Sequence, residues 1–133
     1  MALPALTDNR WLRLFALAGL YAAQGLPWGI FIVAIPTWLA TQGHSSTEVG
    51  LFIATVTLPW TFKLFSGPVM DRFIFPNLGR RRPWVIIAQL VIISGYLMLP
   101  ASEGHFNWLL IIGIVVNIGA AVQDVAVDGM AID

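Results

Sequence analysis

Read for the alternation of apolar and polar positions, the chain is four long apolar runs joined by short polar stretches. From Leu14 to Thr47 there is no Asp, Glu, Lys or Arg. A membrane span needs about 20 predominantly apolar residues, so this run holds one helix with length to spare. A cleavable signal peptide would have an apolar core of only about 7–15 residues, which this run far exceeds. The pattern predicts a first transmembrane helix over residues 11–40. Gly25–Leu26–Pro27 bends it near its middle, because proline removes a backbone donor and crowds the preceding turn. Gln42 to Ser46 is a polar connection, and Ser45 and Glu48 stand at capping-box spacing. A second helix follows over residues 46–66, with Pro59 inside it and Gly67–Pro68 as its stop. Pro83 suits a first helical turn and opens a third helix over residues 83–100. Asn107 is an N-cap candidate for a fourth helix over residues 107–128. The expected fold is an all-α membrane protein of four transmembrane helices. A leader over residues 1–10, an arginine-rich loop over residues 67–82 and a short end over residues 129–133 complete it.

Composition agrees with the pattern. The 133 residues are 58% hydrophobic and 11% charged, with a mean hydropathy of +0.80. A water-soluble domain carries about a quarter charged residues, so the deficit points to a bilayer. There is no cysteine, which excludes disulfide and thiolate chemistry. The two histidines, His44 and His105, fall in separate predicted loops, and no metal site is expected. A formal charge of zero argues against a nucleic-acid partner.

All seven basic residues (Arg10, Arg13, Lys63, Arg72, Arg80, Arg81 and Arg82) fall near the N-terminus or around the connection between helices two and three. The positive-inside rule then places both termini and that connection in the cytoplasm. Trp11, Trp38, Trp84 and Trp108 mark predicted helix ends, as an interfacial aromatic belt requires.

Polar residues inside the spans carry the candidate chemistry. In helix four, Gly113, Asn117, Ala121, Asp124 and Asp128 share one stripe by helical spacing. An ionisable side chain at that depth faces protein or water, so the stripe lines an interior. In helix one, Tyr21, Gln24 and Trp28 share a face around the bend. Gln24 needs partners, either from other helices or from a solvated cavity. Tyr21 and Trp28 suit a core or a sugar-binding face, and Lys63 either snorkels to the interface or touches a cargo. Gly25 with Gly29, and Gly50 with Ala54, have the spacing of close helix contacts. Carboxylates at the C-terminal end of a helix meet its partial negative charge, so Asp124 and Asp128 need cations. Arg72 or Arg80–Arg82 are the economical partners.

At Gly67-x-x-x-Asp71-Arg72, with Gly79-Arg80-Arg81 following, the chain resembles the loop signature of the major facilitator superfamily, with a longer spacing between Arg72 and Gly79. FKLFSGPVMDRF, LGRRRPW and GAAVQDVAVDGMAID are similar to the branch of AmpG-type muropeptide permeases and acetyl-coenzyme A transporters. The resemblance implies the N-terminal portion of a twelve-helix transporter, in which helices one and four line a central cavity. It implies that Gly67, Asp71, Arg72, Gly79, Arg80 and Arg81, with Arg82 beside them, form a conformational latch. Gln123 joins Gln24, Asn117, Asp124 and Asp128 as candidates for the cavity and proton coupling. Tyr21, Trp28 and Lys63 are candidates for substrate contact.

The expected function is proton-coupled import of an amphipathic solute such as an anhydro-muropeptide. Acetyl-coenzyme A or another solute of the same superfamily is the alternative, as is a four-helix membrane interaction module that transports nothing. Asp124-x-x-x-Asp128-Gly129 has the spacing of the aspartate cluster of CDP-alcohol phosphotransferases, but the arginine that follows there is missing, and no enzyme activity or cofactor is expected. The implied partners are the lipid bilayer, the remaining helices of a longer transporter, a small solute and protons. The implied location is a bacterial inner membrane.

Overall fold

The computed structural model describes residues 9–74, 79–103 and 105–132. Residues 1–8 of the expected leader, 75–78 of the expected loop and 133 of the expected end lie outside the described residues. Among the described residues there is no strand, and four helices are long and apolar enough to cross a membrane. They are α1 (Arg10–Thr41), α2 (Ser46–Arg72), α3 (Arg82–Ser102) and α4 (Phe106–Ile132). The protein is an integral, multi-pass, all-α membrane protein.

α1 begins at Asn9, whose side chain accepts hydrogen bonds from the Trp11 and Leu12 amides at 3.0 and 3.2 Å. That satisfies two of the amides a helix start leaves without partners. The expected disturbance at Pro27 takes a particular form. The helix is α-helical over Arg10–Trp28, π-helical over Gly29–Ala34 and α-helical again over Ile35–Thr41. Pro27 has no N–H to continue the ladder, and the wider turn that follows lets the Ile35 amide reach the Ile30 carbonyl.

α2 opens with both hydrogen bonds of the capping box. The Glu48 amide donates to Ser45 Oγ, and the Ser45 amide donates to Glu48 Oε2 at 2.8 Å. The helix does not stop at Gly67–Pro68. It breaks at Phe62, three residues after Pro59, and resumes over Lys63–Arg72. Neighbouring helices in a membrane tolerate proline and glycine, and Gly67 serves the contact with α4 instead: a β-carbon there would lie 3.9 Å from Val125. α3 ends in a 3-10 turn, Leu99–Ser102. α4 starts at Phe106, so Asn107 lies within its first turn and is not the cap. It runs past residue 128 to Ile132.

α4 is the hub. It contacts α1, α2 and α3, and 61% of its most apolar stretch is buried against 11% for α1 and α2. Phe31, Leu39, Phe52, Val56, Ile92, Ile112 and Val116 form one apolar core around it. Met70, Val85, Ala126 and Val127 form a second at the arginine end. Packing within lipid depends on close van der Waals fit, and glycines on α4 supply it. A β-carbon at Gly113 would meet Val56 at 2.5 Å and the Phe31 ring at 3.3 Å; one at Gly119 would meet Ile92 at 2.9 Å. The glycine pairs read from spacing do not do this work. At Gly25, Gly29 and Gly50 a β-carbon would meet nothing within 4 Å.

Candidate functional site

Two polar assemblies lie along α4, one within the membrane-spanning part and one at its arginine end. The first grows from the expected stripe. Asn117 is fully buried, and it is held rather than open to a cavity. Its Nδ2 donates to the Gly113 carbonyl at 2.9 Å, and its Oδ1 accepts from Trp60 Nε1 at 3.0 Å. Trp60 in turn meets Trp28 edge to face, with ring centroids 5.7 Å apart. Asn117 is therefore a fastening between α2 and α4. Trp28 is half-exposed and stands beside that fastening.

Two helical turns further along, Asp124 is buried and forms an ion pair with Lys63 of α2. Its Oδ1 also accepts a hydrogen bond from Gln24 Nε2 of α1. Asp128, half-exposed, accepts from the Tyr21 hydroxyl at 2.7 Å, and its Oδ2 lies 3.9 Å from Lys63 Nζ. The lysine also stands 6.0 Å from the centre of the Trp60 ring. Local structure explains the convergence. Lys63 is the first residue after the break at Phe62, Tyr21 and Gln24 share a face of α1 below the π-helical stretch, and Asp124 and Asp128 are one turn apart. Gln123 is fully buried beside the network, where its Nε2 donates to the Leu20 carbonyl at 3.4 Å.

The cation expected opposite Asp124 and Asp128 was an arginine. It is Lys63. A desolvated carboxylate is stabilised by a cation at contact distance within the same layer, and the lysine on the adjoining helix reaches it, while Arg80 and Arg81 pair with Asp71. Lys63 faces both carboxylates, and 38% of it stays exposed. Two carboxylates share one ammonium group, so the cluster holds one more carboxylate than cations.

The second assembly gathers part of the loop signature. Asp71, in the last turn of α2, takes Arg81 Nη2 at 3.1 Å, while Arg80 Nε lies 3.9 Å from the same oxygen. Arg81 is only 15% exposed, and its Nη1 lies 3.8 Å from Met70 Sδ. Gly79 has φ +80°, a left-handed conformation that glycine adopts at no steric cost. Gly67 faces α4. Arg72 closes α2 and Arg82 opens α3, both at the surface. Arg81 also lies over Gly129 of α4. The arginine end does meet the end of α4, through backbone rather than through Asp124 or Asp128. Trp60, Met70 and Gly129 were not anticipated. Only Trp60 carried a signal: its indole N–H, far from any interfacial belt, needed a partner within the span.

At the opposite end His44 stacks on Phe106, ring centroids 5.4 Å apart, and lies 3.4 Å from Glu48. Among the described residues no three His, Asp or Glu side chains gather as a metal site would require.

No solved structure matches the chain. It is 26% identical over 113 residues to the anhydromuropeptide permease of Escherichia coli K12, covering 84% of this chain and 23% of that protein. An uncharacterized protein of Haemophilus influenzae is 33% identical over 111 residues, covering 79% and 25%. An uncharacterized membrane protein of Saccharomyces cerevisiae is 33% identical over 88 residues, covering 65% and 15%. The chain thus spans about a quarter or less of the length of these curated relatives. The family model described as acetyl-coenzyme A transporter 1 matches residues 13–106, more than half of the chain. The chain belongs to that transporter family.

Proposed function

We propose that these helices form the N-terminal portion of a proton-coupled secondary transporter with the architecture of the major facilitator superfamily. The observation that carries the reading is the ion-pair cluster of Lys63, Asp124 and Asp128, joined to Tyr21 and Gln24 across three membrane helices. Ionisable groups at membrane depth are costly, and proton relays and solute paths are where such groups serve a purpose. The excess carboxylate takes the coupling proton. Half-exposed Tyr21 and Trp28 form a face on which a solute with sugar rings packs. The relatives' greater length supports further helices, against which this part rocks in alternating access. The distribution of basic residues supports cytoplasmic termini, and the named bacterial relative supports an inner-membrane location.

The solute is an anhydro-muropeptide, as the name of the E. coli relative suggests, taken inward with protons. Acetyl-coenzyme A is the second reading, favoured by the description of the family. Uptake by the complete protein in proteoliposomes, with each compound labelled and with or without an inward proton gradient, separates the two. Gradient-dependent, saturable uptake of the muropeptide alone is the expected result. Uptake of acetyl-coenzyme A alone moves the protein to the second reading, and uptake of either one unaffected by a protonophore removes proton coupling. Vesicles holding only these four helices are expected to show no saturable uptake, because part of a cavity cannot alternate.

A further inference from the structure

Arg81 lies where a side chain on Gly129 would be. A β-carbon built at Gly129 would stand 2.6 Å from Arg81 Nε, 2.7 Å from Cζ and 3.1 Å from Nη2. The same guanidinium is also held by Asp71 at 3.1 Å and by Met70 Sδ at 3.8 Å. Asp71 and Met70 belong to the last turns of α2, Gly129 belongs to the last turn of α4, and Arg81 immediately precedes α3. One planar cation therefore meets three helix ends.

We infer that Gly129 is a positioning residue whose missing side chain makes the seat for Arg81, and that the Asp71–Arg81–Gly129 stack holds the α2–α3 connection onto α4. For its role in transport this adds a residue to the latch and rests on the function proposed above. The C-terminal end of a helix carries partial negative charge, and a flat, weakly hydrated guanidinium can lie against its backbone where a side chain would prevent it. The other close-fitting glycines of α4, Gly113 and Gly119, meet apolar side chains or backbone; Gly129 alone among these three meets a charged group. Finally, the atoms in the way are the far end of a flexible side chain. Alanine at 129 displaces the arginine and leaves α4 where it is, so the fold survives and the joint opens.

The sign of the effect separates this role from helix packing. Glycine is a poor helix former, so alanine at a helical position ordinarily stabilises it. The joint predicts the opposite at one place. Hydrogen exchange of the complete protein in detergent, followed at the amides of Trp84 and Val85, which donate to the Arg81 carbonyl at 3.1 and 3.2 Å, reads it directly and needs no solute. Gly129→Ala is expected to speed exchange there about ten-fold, as local opening without global unfolding does. Arg81→Ala does the same, the double variant is no faster than Arg81→Ala, and the amides of Gln42–Ser46 are unchanged. Wild-type exchange in Gly129→Ala, or effects that multiply in the double variant, would overturn the inference. Loss of uptake elsewhere leaves this readout untouched, so the joint and the transport reading fail separately.

Discussion

Asp124 of α4 and Lys63 of α2 form an ion pair within the helix bundle, with Gln24 of α1 bonded to the same carboxylate. The contact ties three helices at one point. It also makes each partner costly to lose.

Lys63→Met leaves the buried Asp124 carboxylate without its cation. Breaking a buried pair costs about 3–5 kcal/mol, and the partial exposure of the lysine places this one at or below the low end. The thermal midpoint of the complete protein in detergent is expected to fall accordingly. Lys63→Met combined with Asp124→Leu recovers most of the loss, because the carboxylate that remains, Asp128, is half-exposed and keeps its hydrogen bond from Tyr21. A double variant as unstable as the single would show that the lysine acts through something other than Asp124.

The two polar assemblies have different jobs under the proposed function, and substitution separates them. Asp124→Asn leaves one carboxylate to one ammonium group, without the excess carboxylate, and is expected to abolish gradient-driven uptake while solute exchange at equal pH persists. Arg81→Ala leaves the cluster intact and is expected to keep the proton-to-solute ratio while changing the balance between access states, read by cysteine labelling at the two ends. Normal gradient-driven uptake by Asp124→Asn would take the proton away from this carboxylate.

Much of the architecture was legible because charge is so costly in hydrocarbon. The uncharged stretch from Leu14 to Thr47 and the cluster of arginines from Arg80 to Arg82 leave few ways to thread the chain. Asp124 and Asp128 were legible as interior for the same reason. Their partner was not. Lys63 and four nearby arginines all offered a cation, and the choice depends on a break at Phe62 that no local preference of phenylalanine announces. Glycine contacts were misread for a related reason. Gly25 and Gly29 have the spacing of a close contact, but whether a neighbouring helix arrives is a tertiary fact, and here it arrives at Gly113 and Gly119.

That misreading gives a paired test. Gly113→Ala forces its methyl group against Val56 and Phe31 and is expected to destabilise by about 1–3 kcal/mol through overpacking. Gly25→Ala meets nothing among the described residues and, within this bundle, is expected to be neutral or stabilising by up to about 1 kcal/mol. Thermal unfolding of the two variants in detergent checks the contrast. Equal losses would mean that Gly25 is packed against a helix beyond these four.

The π-helical stretch of α1 gears the two halves of one helix independently. Above it, Leu39 turns into the apolar core, as Phe31 does from within it; below it, Tyr21 and Gln24 turn to the carboxylates of α4. A uniform α-helix advances about 100° per residue, and a wider turn takes up surplus residues without lengthening the span in proportion. Removing one residue from Gly29–Ala34 therefore amounts to a rotation. The chain would still cross the membrane and still bury Leu39, while the hydroxyl of Tyr21 and the amide of Gln24 would swing away from the ion pair they now complete.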